Sequence, residues 1–198
     1  MEFKISNTQV YGLDRSLVAA GNSFRTVLES HEPTEHDLER GKKLGSVPVG
    51  SGHDTLLNGI LVEMDVYAPL YWWKQAQRYH WFEFISSQST MHCVTKFKLE
   101  DSCTSEVDKE IIDIVQKKID KYNSLSKEDK NSDEGKKLWK TIIASLPCGF
   151  VLGATMTTSY RQLKTMFLQR KDHKLSEWHD FCNWCTTLPC FSDLTGCK

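Results

Sequence analysis

The sequence predicts a mixed α/β (α+β) fold, because strand and helix patterns alternate along it. Residues 60–66 carry apolar side chains at every second position, which is typical of a half-buried strand. Pro69 ends that strand, and since proline is tolerated in the first helical turn, residues 70–79 are predicted to form a helix. Two further helical segments, 105–122 and 133–145, flank a polar stretch and predict a helical hairpin.

The N-terminal residues supply one more strand and two more helices. Residues 1–12 are predicted to form a strand, and residues 14–20 a short helix. Thr34, followed three residues later by Asp37, is typical of a helix N-cap with an acidic partner. We therefore expect a helix that begins after Thr34 and runs through residue 44.

Residues beyond the proline-started helix complete the set of predicted elements. The alternating segment 94–99 predicts a second strand of the same kind. Residues 124–137 are small or charged and form the exposed tip of the helical hairpin. Residues 148–158 predict a short strand or a buried turn, and residues 159–169 a helix.

The last of these helices carries polar groups on opposite sides. If the helix continues far enough, Ser159, Met166, Arg170 and His173 fall within about a quarter turn, and Arg161 lies opposite Arg170. A polar, basic face at the helix end is one interpretation. The plainer one is that cations are favoured at a helix C-terminus by the helix dipole.

Length and charge limit the classes of function. A chain of 198 residues can bury a proper core as a single domain over residues 1–198, or serve as one subunit of an oligomer. With 25 Lys and Arg against 26 Asp and Glu, it has no bulk positive charge to bind duplex nucleic acid or an anionic membrane. The N-terminus lacks the pattern of a signal peptide, and no apolar run is long enough to span a bilayer. We expect a soluble cytoplasmic protein whose functional cations are few and clustered.

The seven cysteines are an odd number and are most simply free thiols. Cys182 and Cys185, with His179, Cys190 and Cys197 nearby, could supply zinc ligands. A structural zinc site usually pairs two short ligand knuckles, and only one is present here. We therefore predict no metal site, and the surrounding sequence indicates the interior of a helix.

Gln75 and Arg78 are the first candidate ligand-binding pair. On a helix over residues 70–79 they share one face, and Lys74 lies one turn before Arg78. An amide can donate to and accept from a nucleobase edge, and a guanidinium can bind two oxygens of a phosphate. The alternative is that these side chains form the solvated face of a helix that buries its aromatic residues.

The chain is similar to the flavin-dependent thymidylate synthases in two collinear stretches. In residues 52–89 the family shows a GH[ED]T turn, a strand, an APL or API helix start and a glutamine three residues before an arginine. Residues 146–172 match the family's LP, ARSL and RAD elements. The matching positions are Gly52, His53, Asp54, Thr55, Ala68, Pro69, Leu70, Gln75, Arg78, Leu146, Pro147, Arg161, Leu163, Arg170 and Asp172.

This resemblance implies a subunit of a homotetramer that uses FAD to transfer a one-carbon unit to dUMP. Methylenetetrahydrofolate would supply the carbon, and NADPH would re-reduce the flavin. Arg170 is implied as the catalytic residue, because a guanidinium hydrogen-bonded to the pyrimidine favours its ionised form. Gln75, Arg78 and Arg170 are implied to contact the nucleotide. The positions implied at or beside FAD are His53, Thr55, Arg78, Ser159, Arg161 and Thr165.

The chain departs from the family at arginines that hold the nucleotide. The family's RHR reads Arg78-Tyr79-His80 here, and its S-x-R ends on Thr90 instead of arginine. A further arginine, used on the nucleotide phosphate, aligns with Ile143. Each lost charge-assisted hydrogen bond is worth roughly 1.5–3 kcal/mol.

A cluster of hydroxyl and imidazole groups can replace those arginines. Hydroxyls and a nearby histidine can bind a phosphate or a nucleoside, and we predict that role for Ser87, Ser89, Thr90 and His92. The alternative is structural: the hydroxyls cap a turn and Met91 fills the core. The sequence thus supports a divergent flavin-dependent thymidylate synthase, or a protein of the same fold that binds a nucleotide without catalysis.

Overall fold

The alternating apolar residues that predict a strand form the buried face of that strand. Ile60, Val62, Met64 and Val66 are each no more than 1% exposed. The strand runs over Leu61–Pro69, so it ends at the proline, which has no N–H to donate. The computed structural model describes all residues from Met1 to Lys198.

Four strands form one sheet, in the order β1-β2-β4-β3. They are β1 Lys4–Tyr11, β2 Leu61–Pro69, β3 Glu83–Ser87 and β4 Val151–Ser159. The α-helices are α1 Leu13–Ala19, α2 Glu35–Gly45, α3 Leu70–Ala76, α4 Thr90–Cys93, α5 Leu99–Ser102, α6 Lys109–Asn123, α7 Lys127–Asn131, α8 Asp133–Ala144, α9 Tyr160–Arg170, α10 Ser176–Thr186 and α11 Phe191–Thr195. Short 3-10 helices occur at Asn22–Phe24, His53–Asn58 and Val94–Lys96.

The contacts of the chain divide it into two compact units. The first unit consists of Met1–Lys4, Val66–Gln75 and Ser86–Ala154. The second unit consists of Ile5–Asp65, Ala76–Ile85 and Thr155–Lys198. The single domain expected over residues 1–198 remains a prediction.

The first unit contains the predicted helical hairpin. Helix α6 packs against α8, and the short helix α7 lies at the polar tip between them. Ser126 and Ser132 cap the starts of α7 and α8, each accepting a hydrogen bond from a backbone N–H three residues on. The apolar faces meet in a buried cluster of Val94, Leu99, Cys103, Val115, Ile119, Ile142 and Phe150.

In the second unit, α2 begins with the predicted capping box. The Thr34 hydroxyl accepts from the Asp37 N–H at 3.2 Å, and the Asp37 carboxylate accepts from the Thr34 N–H at 3.1 Å. Asp37 is only 2% exposed and pairs with Arg40 at 2.9 Å. Since these groups favour the charged form, the Thr34 hydrogen bonds and Arg40 lower the Asp37 pKa to about 2.

The far end of α2 packs tightly on α11. A Cβ at Gly45 would collide with the carbonyl oxygen of Leu194, so only glycine permits this approach. Phe191, the first residue of α11, is fully buried and lies edge-on to the Tyr160 ring at 5.2 Å. Helix α9, which begins with Tyr160, is therefore held by the C-terminal segment.

Several predicted boundaries were wrong. The segment 94–99 is not a strand: a 3-10 helix and the start of α5 occupy it, and six alternating residues fit either structure. Helix α3 ends at Ala76 and α6 begins only at Lys109, after its cap Asp108. Strand β3 went unpredicted because all five of its residues are exposed, so no buried face marks it.

The C-terminal cysteines lie where the helical pattern placed them. Cys182 and Cys185 are buried on α10 and are free thiols. Burial raises the pKa of Cys182 to about 11 and that of Cys185 well above its usual value. No three His, Cys, Asp or Glu side chains converge as a metal site would require. None of the helices combines the length and apolar character needed to cross a membrane.

Replacing Asp37 with asparagine should destabilise the protein in a pH-dependent way. The Asp37 pKa is lowered from 3.8 to about 2, so its contribution is present above pH 4 and lost as the pH falls toward 2. We expect Asp37→Asn to lower the free energy of unfolding by about 2 kcal/mol at pH 7. Urea denaturation at a series of pH values measures this.

The exposed carboxylate of Glu39 provides the control. It pairs with Lys42 on the same helix at 2.9 Å, and its side chain is 62% exposed. Glu39→Gln should therefore change stability little. A stability difference between wild type and Asp37→Asn that stays constant from pH 7 to pH 2 would contradict the assignment.

Candidate functional site

The candidate residues group around helix α9 and the turn that packs against it in the second unit. Ser159 is the N-cap of α9, and its hydroxyl accepts from the Gln162 N–H at 3.3 Å. Arg161 lies in the first turn, Thr165 in the middle and Arg170 at the end of α9. Thr165 donates its hydroxyl hydrogen to the Arg161 carbonyl at 3.1 Å, as threonines within helices often do.

The turn that packs against α9 is the 3-10 helix His53–Asn58. It begins after Gly52, whose φ of 81° is unfavourable for other residues. His53 and Thr55 are exposed, and Asp54 between them is fully buried. The turn thus points one carboxylate inward and leaves the two neighbouring candidate side chains accessible.

Asp54 is buried next to two cations of α9. Its carboxylate oxygens lie 3.0 Å from Arg161 Nη2 and 3.8 Å from Lys164 Nζ. Both contacts are ion pairs, and neither is a well-aligned hydrogen bond. Burial lowers the pKa of Lys164, and the Asp54 charge partly offsets this effect. The buried negative charge is therefore balanced by ion pairing alone.

A cavity of about 420 Å³ opens beside the start of α9. We call it the α9 cavity; it is lined by Asn58, Leu61, Trp81, Glu83, Thr157, Thr158, Ser159 and Arg161. It combines a cation, a carboxylate, hydroxyls, an amide and an aromatic surface. Such a lining suits a polar, aromatic ligand whose negative charge lies at Arg161 and whose hydrogen-bond donors face Glu83.

Trp81 supplies most of the aromatic surface of the α9 cavity. Its side chain is 64% exposed, which is unusual for tryptophan. Its backbone is fixed, because the buried Thr158 hydroxyl donates to the Trp81 carbonyl at 2.7 Å. The His80 ring lies edge-on to the indole at 4.4 Å. An exposed indole on a fixed backbone can stack against a planar ligand.

Arg170 is held at the other end of α9 by two aromatic residues. Its Nε donates to the Tyr79 hydroxyl at 2.7 Å. Its guanidinium carbon lies 4.6 Å from the Trp178 ring centroid and 5.4 Å from that of Tyr79. Tyr79 in turn donates to the Gln169 side chain at 3.1 Å. Rings of this kind hold a cation by electrostatic attraction to their faces.

The helix geometry agrees with the predicted opposition of Arg161 and Arg170. Nine residues correspond to a half-turn offset and a separation of roughly 14 Å along the axis. The condition for His173 to share the face of Arg170 is not met, because α9 ends at Arg170 and His173 lies in the following turn. Burial and the nearby charge of Arg170 lower the His173 pKa.

The remaining candidates lie on other elements. Arg78 follows the end of α3 in an exposed turn, so it does not share a helical face with Gln75. In the first unit, Gln75 is half-buried near the end of α3 and Ser87 ends β3. Ser89 is the N-cap residue of α4, and Thr90 and His92 belong to that four-residue helix.

Sequence reasoning missed several residues of the α9 cavity, namely Asn58, Trp81, Glu83 and Thr157. Glu83 is the first residue of β3, the strand that went unpredicted, and Trp81 lies in the turn just before it. The buried Phe82 between two exposed neighbours was the one alternating signal there. It was too short to indicate a strand.

Comparison by sequence finds no relative: no family model matches the chain, and no curated protein matches it. Comparison by structure finds similar proteins. A crystal structure of the flavin-dependent thymidylate synthase ThyX of Helicobacter pylori, complexed with FAD and dUMP, matches with a TM-score of 0.72 at 14% identity. The match covers 100% of this chain and 99% of that chain.

A second structure of the Helicobacter pylori protein, also with FAD and dUMP, gives a TM-score of 0.69 at 14% identity. It covers 98% of this chain and 95% of that chain. At such identity the match establishes the fold, and it confirms the α/β class and the resemblance drawn from the motifs. The protein therefore has the fold of the flavin-dependent thymidylate synthases over its whole length.

Proposed function

We propose that the protein binds FAD and a deoxyuridine-type nucleotide and transfers a one-carbon unit to the pyrimidine. The observation that supports the proposal is the arrangement of polar and charged residues along α9. Ser159 and Arg161 line a cavity at one end, and Arg170 is held by two aromatic rings at the other. The matching fold in Helicobacter pylori is complexed with both FAD and dUMP.

The residues present fit a flavin dinucleotide. The α9 cavity offers Arg161 for negative charge, hydroxyls and an amide for hydrogen bonds, and the Trp81 surface for stacking. In this proposal Ser159, Arg161 and Thr165 hold FAD, with His53, Thr55 and Arg78 beside it. The cofactor supplies hydride chemistry that no amino-acid side chain provides.

In this proposal the chain's own contribution to the reaction is electrostatic. Arg170 donates hydrogen bonds to the pyrimidine and stabilises the negative charge that develops on it. Tyr79 and Trp178 restrict the guanidinium to one position, so little reorganisation is needed during the reaction. Gln75 and Arg78 orient the nucleotide. Ser87, Ser89, Thr90 and His92 hold its phosphate or sugar in place of the missing arginines.

The rest of the proposal follows the same resemblance. Methylenetetrahydrofolate would supply the carbon unit, and NADPH would reduce the flavin. The protein would assemble as a homotetramer and act in the cytoplasm.

A second candidate function is nucleotide binding without catalysis. Ile143, at the position of a phosphate-binding arginine in the family, packs against the apolar core of the first unit. His80, at the last position of the RHR motif, lies against Trp81. These placements favour a protein that holds a nucleotide weakly or differently, for sequestration or sensing.

The absorbance spectrum of the purified protein separates the two candidates. Because the α9 cavity suits a dinucleotide, we expect the protein to carry, or to take up, FAD and to show the visible band of oxidised flavin. Addition of dUMP should perturb that band, since in the proposed homotetramer the flavin held by one subunit would meet the nucleotide held at Arg170 of another. A colourless protein that takes up no FAD but binds nucleotides in a calorimeter would favour the second candidate.

Substitution of Arg170 tests the electrostatic role. Arg170→Ala should lower turnover by about 10²–10³-fold, because one donor aimed at developing charge is lost. FAD binding should survive, since Arg170 lies at the opposite end of α9 from the cavity. Tritium release from labelled dUMP measures turnover, and the flavin spectrum measures cofactor content.

The neighbouring Lys171 provides a matched control. It is an exposed cation directly after α9, so Lys171→Ala removes the same charge without touching the Tyr79 and Trp178 rings. Turnover of Lys171→Ala should equal that of the wild type. Unchanged turnover in Arg170→Ala would remove Arg170 from the proposed role.

A further inference from the structure

The Asp54 carboxylate is fully buried and depends on ion pairs. It is 0% exposed, and its oxygens lie 3.0 Å from Arg161 and 3.8 Å from Lys164 without a well-aligned hydrogen bond. A buried carboxylate is costly unless it is paired with cations or accepts hydrogen bonds. Its two ionic partners, Arg161 and Lys164, therefore offset part of the cost of burying it.

Lys164 also binds the end of helix α2 in the second unit. Its side chain is 2% exposed, and its ammonium donates to the Gly45 carbonyl at 2.7 Å and to the Val47 carbonyl. These carbonyls lie at and just after the end of α2, where a cation is favoured by the helix dipole. Lys164 thus has a fixed position, and its contact with Asp54 is the longer of the two.

Arg161, unlike Lys164, is partly exposed to solvent. Its side chain is 32% exposed, it lines the α9 cavity, and Asp54 is its ion-pair partner. An arginine side chain on the rim of a cavity has many rotamers, and fixing it costs conformational entropy. A buried anion at 3.0 Å from Nη2 selects one of them. The remaining guanidinium N–H groups lie in one plane and can donate hydrogen bonds to phosphate oxygens.

We infer that Asp54 is a positioning residue for Arg161, and that it holds the guanidinium at the rim of the α9 cavity to receive an anionic dinucleotide. This inference rests on the proposed binding of FAD through Arg161. Asp54, Arg161 and Lys164 together carry a net charge of +1, and Glu83 adds one negative charge to the lining of the α9 cavity. The attraction for an anion therefore comes from the Arg161 guanidinium itself, through the N–H groups that do not face Asp54.

A double-mutant cycle on the full chain tests the inference, with the dissociation constant for FAD as the readout. Asp54→Asn keeps the side-chain shape and removes the charge, and we expect it to weaken FAD binding on the order of 10-fold. Arg161→Gln should weaken binding at least as much. The double variant should bind no more weakly than Arg161→Gln alone, because Asp54 acts through Arg161.

Asp37→Asn is the matched control. Asp37 is another buried carboxylate of the second unit that pairs with arginines, but it does not line the α9 cavity. Its substitution should destabilise the protein without changing FAD affinity at a temperature where the protein is folded. If Asp37→Asn weakened FAD binding as much as Asp54→Asn, general loss of stability would explain both and overturn the inference.

A second variant covers the case in which Asp54→Asn fails to fold. Asp54→Glu keeps the charge but shifts it by one methylene, which should displace the guanidinium. It should weaken FAD binding in the wild-type background and have no effect in the Arg161→Gln background. An equal effect in both backgrounds would overturn the inference.

The remaining outcomes separate this inference from the proposed function. A wild-type protein that binds FAD, with Asp54→Asn binding it equally well, overturns the positioning role alone. Additive losses in the double variant do the same. A wild-type protein that takes up no FAD overturns the proposed function and the inference together.

Discussion

The second unit depends on the burial of one carboxylate, that of Asp54. A buried charge requires its partners to be in place, so three segments must come together around it. They are the turn His53–Asn58, helix α9, and, through Lys164, the end of α2. The first half of α9, which lines the α9 cavity with Arg161, takes its position from this arrangement. The requirement is electrostatic, and hydrophobic packing alone would not specify it.

Helix α9 places the two candidate binding regions at opposite ends of a single rigid element. Its first turn faces the α9 cavity with Ser159 and Arg161, and its last residue, Arg170, meets Tyr79 and Trp178 on the opposite side. Because the helix is buried along much of its length and anchored by Tyr160 and Phe191, these two regions cannot drift relative to each other.

Arg170 is held by a residue at which this chain departs from the flavin-dependent thymidylate synthase motifs. Tyr79 stands where the family motif has histidine, and its hydroxyl accepts a hydrogen bond from Arg170. Where the family has a phosphate-binding arginine, Ile143 contributes to the core of the first unit. The fold is thus retained with different polar contacts, which agrees with an identity of only 14% to the matching structures.

The sequence by itself determined the elements whose signals are local. The alternation of apolar residues predicted β2, and the Thr34 and Asp37 pair predicted the start of α2. The polar stretch between two apolar helices predicted the hairpin. Each of these patterns depends only on residues that are close in sequence. The helical pattern over residues 159–169 placed Ser159 and Arg161 on one helix and brought Arg170 to its end. Only the tertiary structure decided β3, the turn that replaces the expected strand at residues 94–99, and the α9 cavity. These depend on contacts between residues far apart in the chain, such as Asp54 with Arg161 and Thr158 with Trp81, which leave no periodic signal in the sequence.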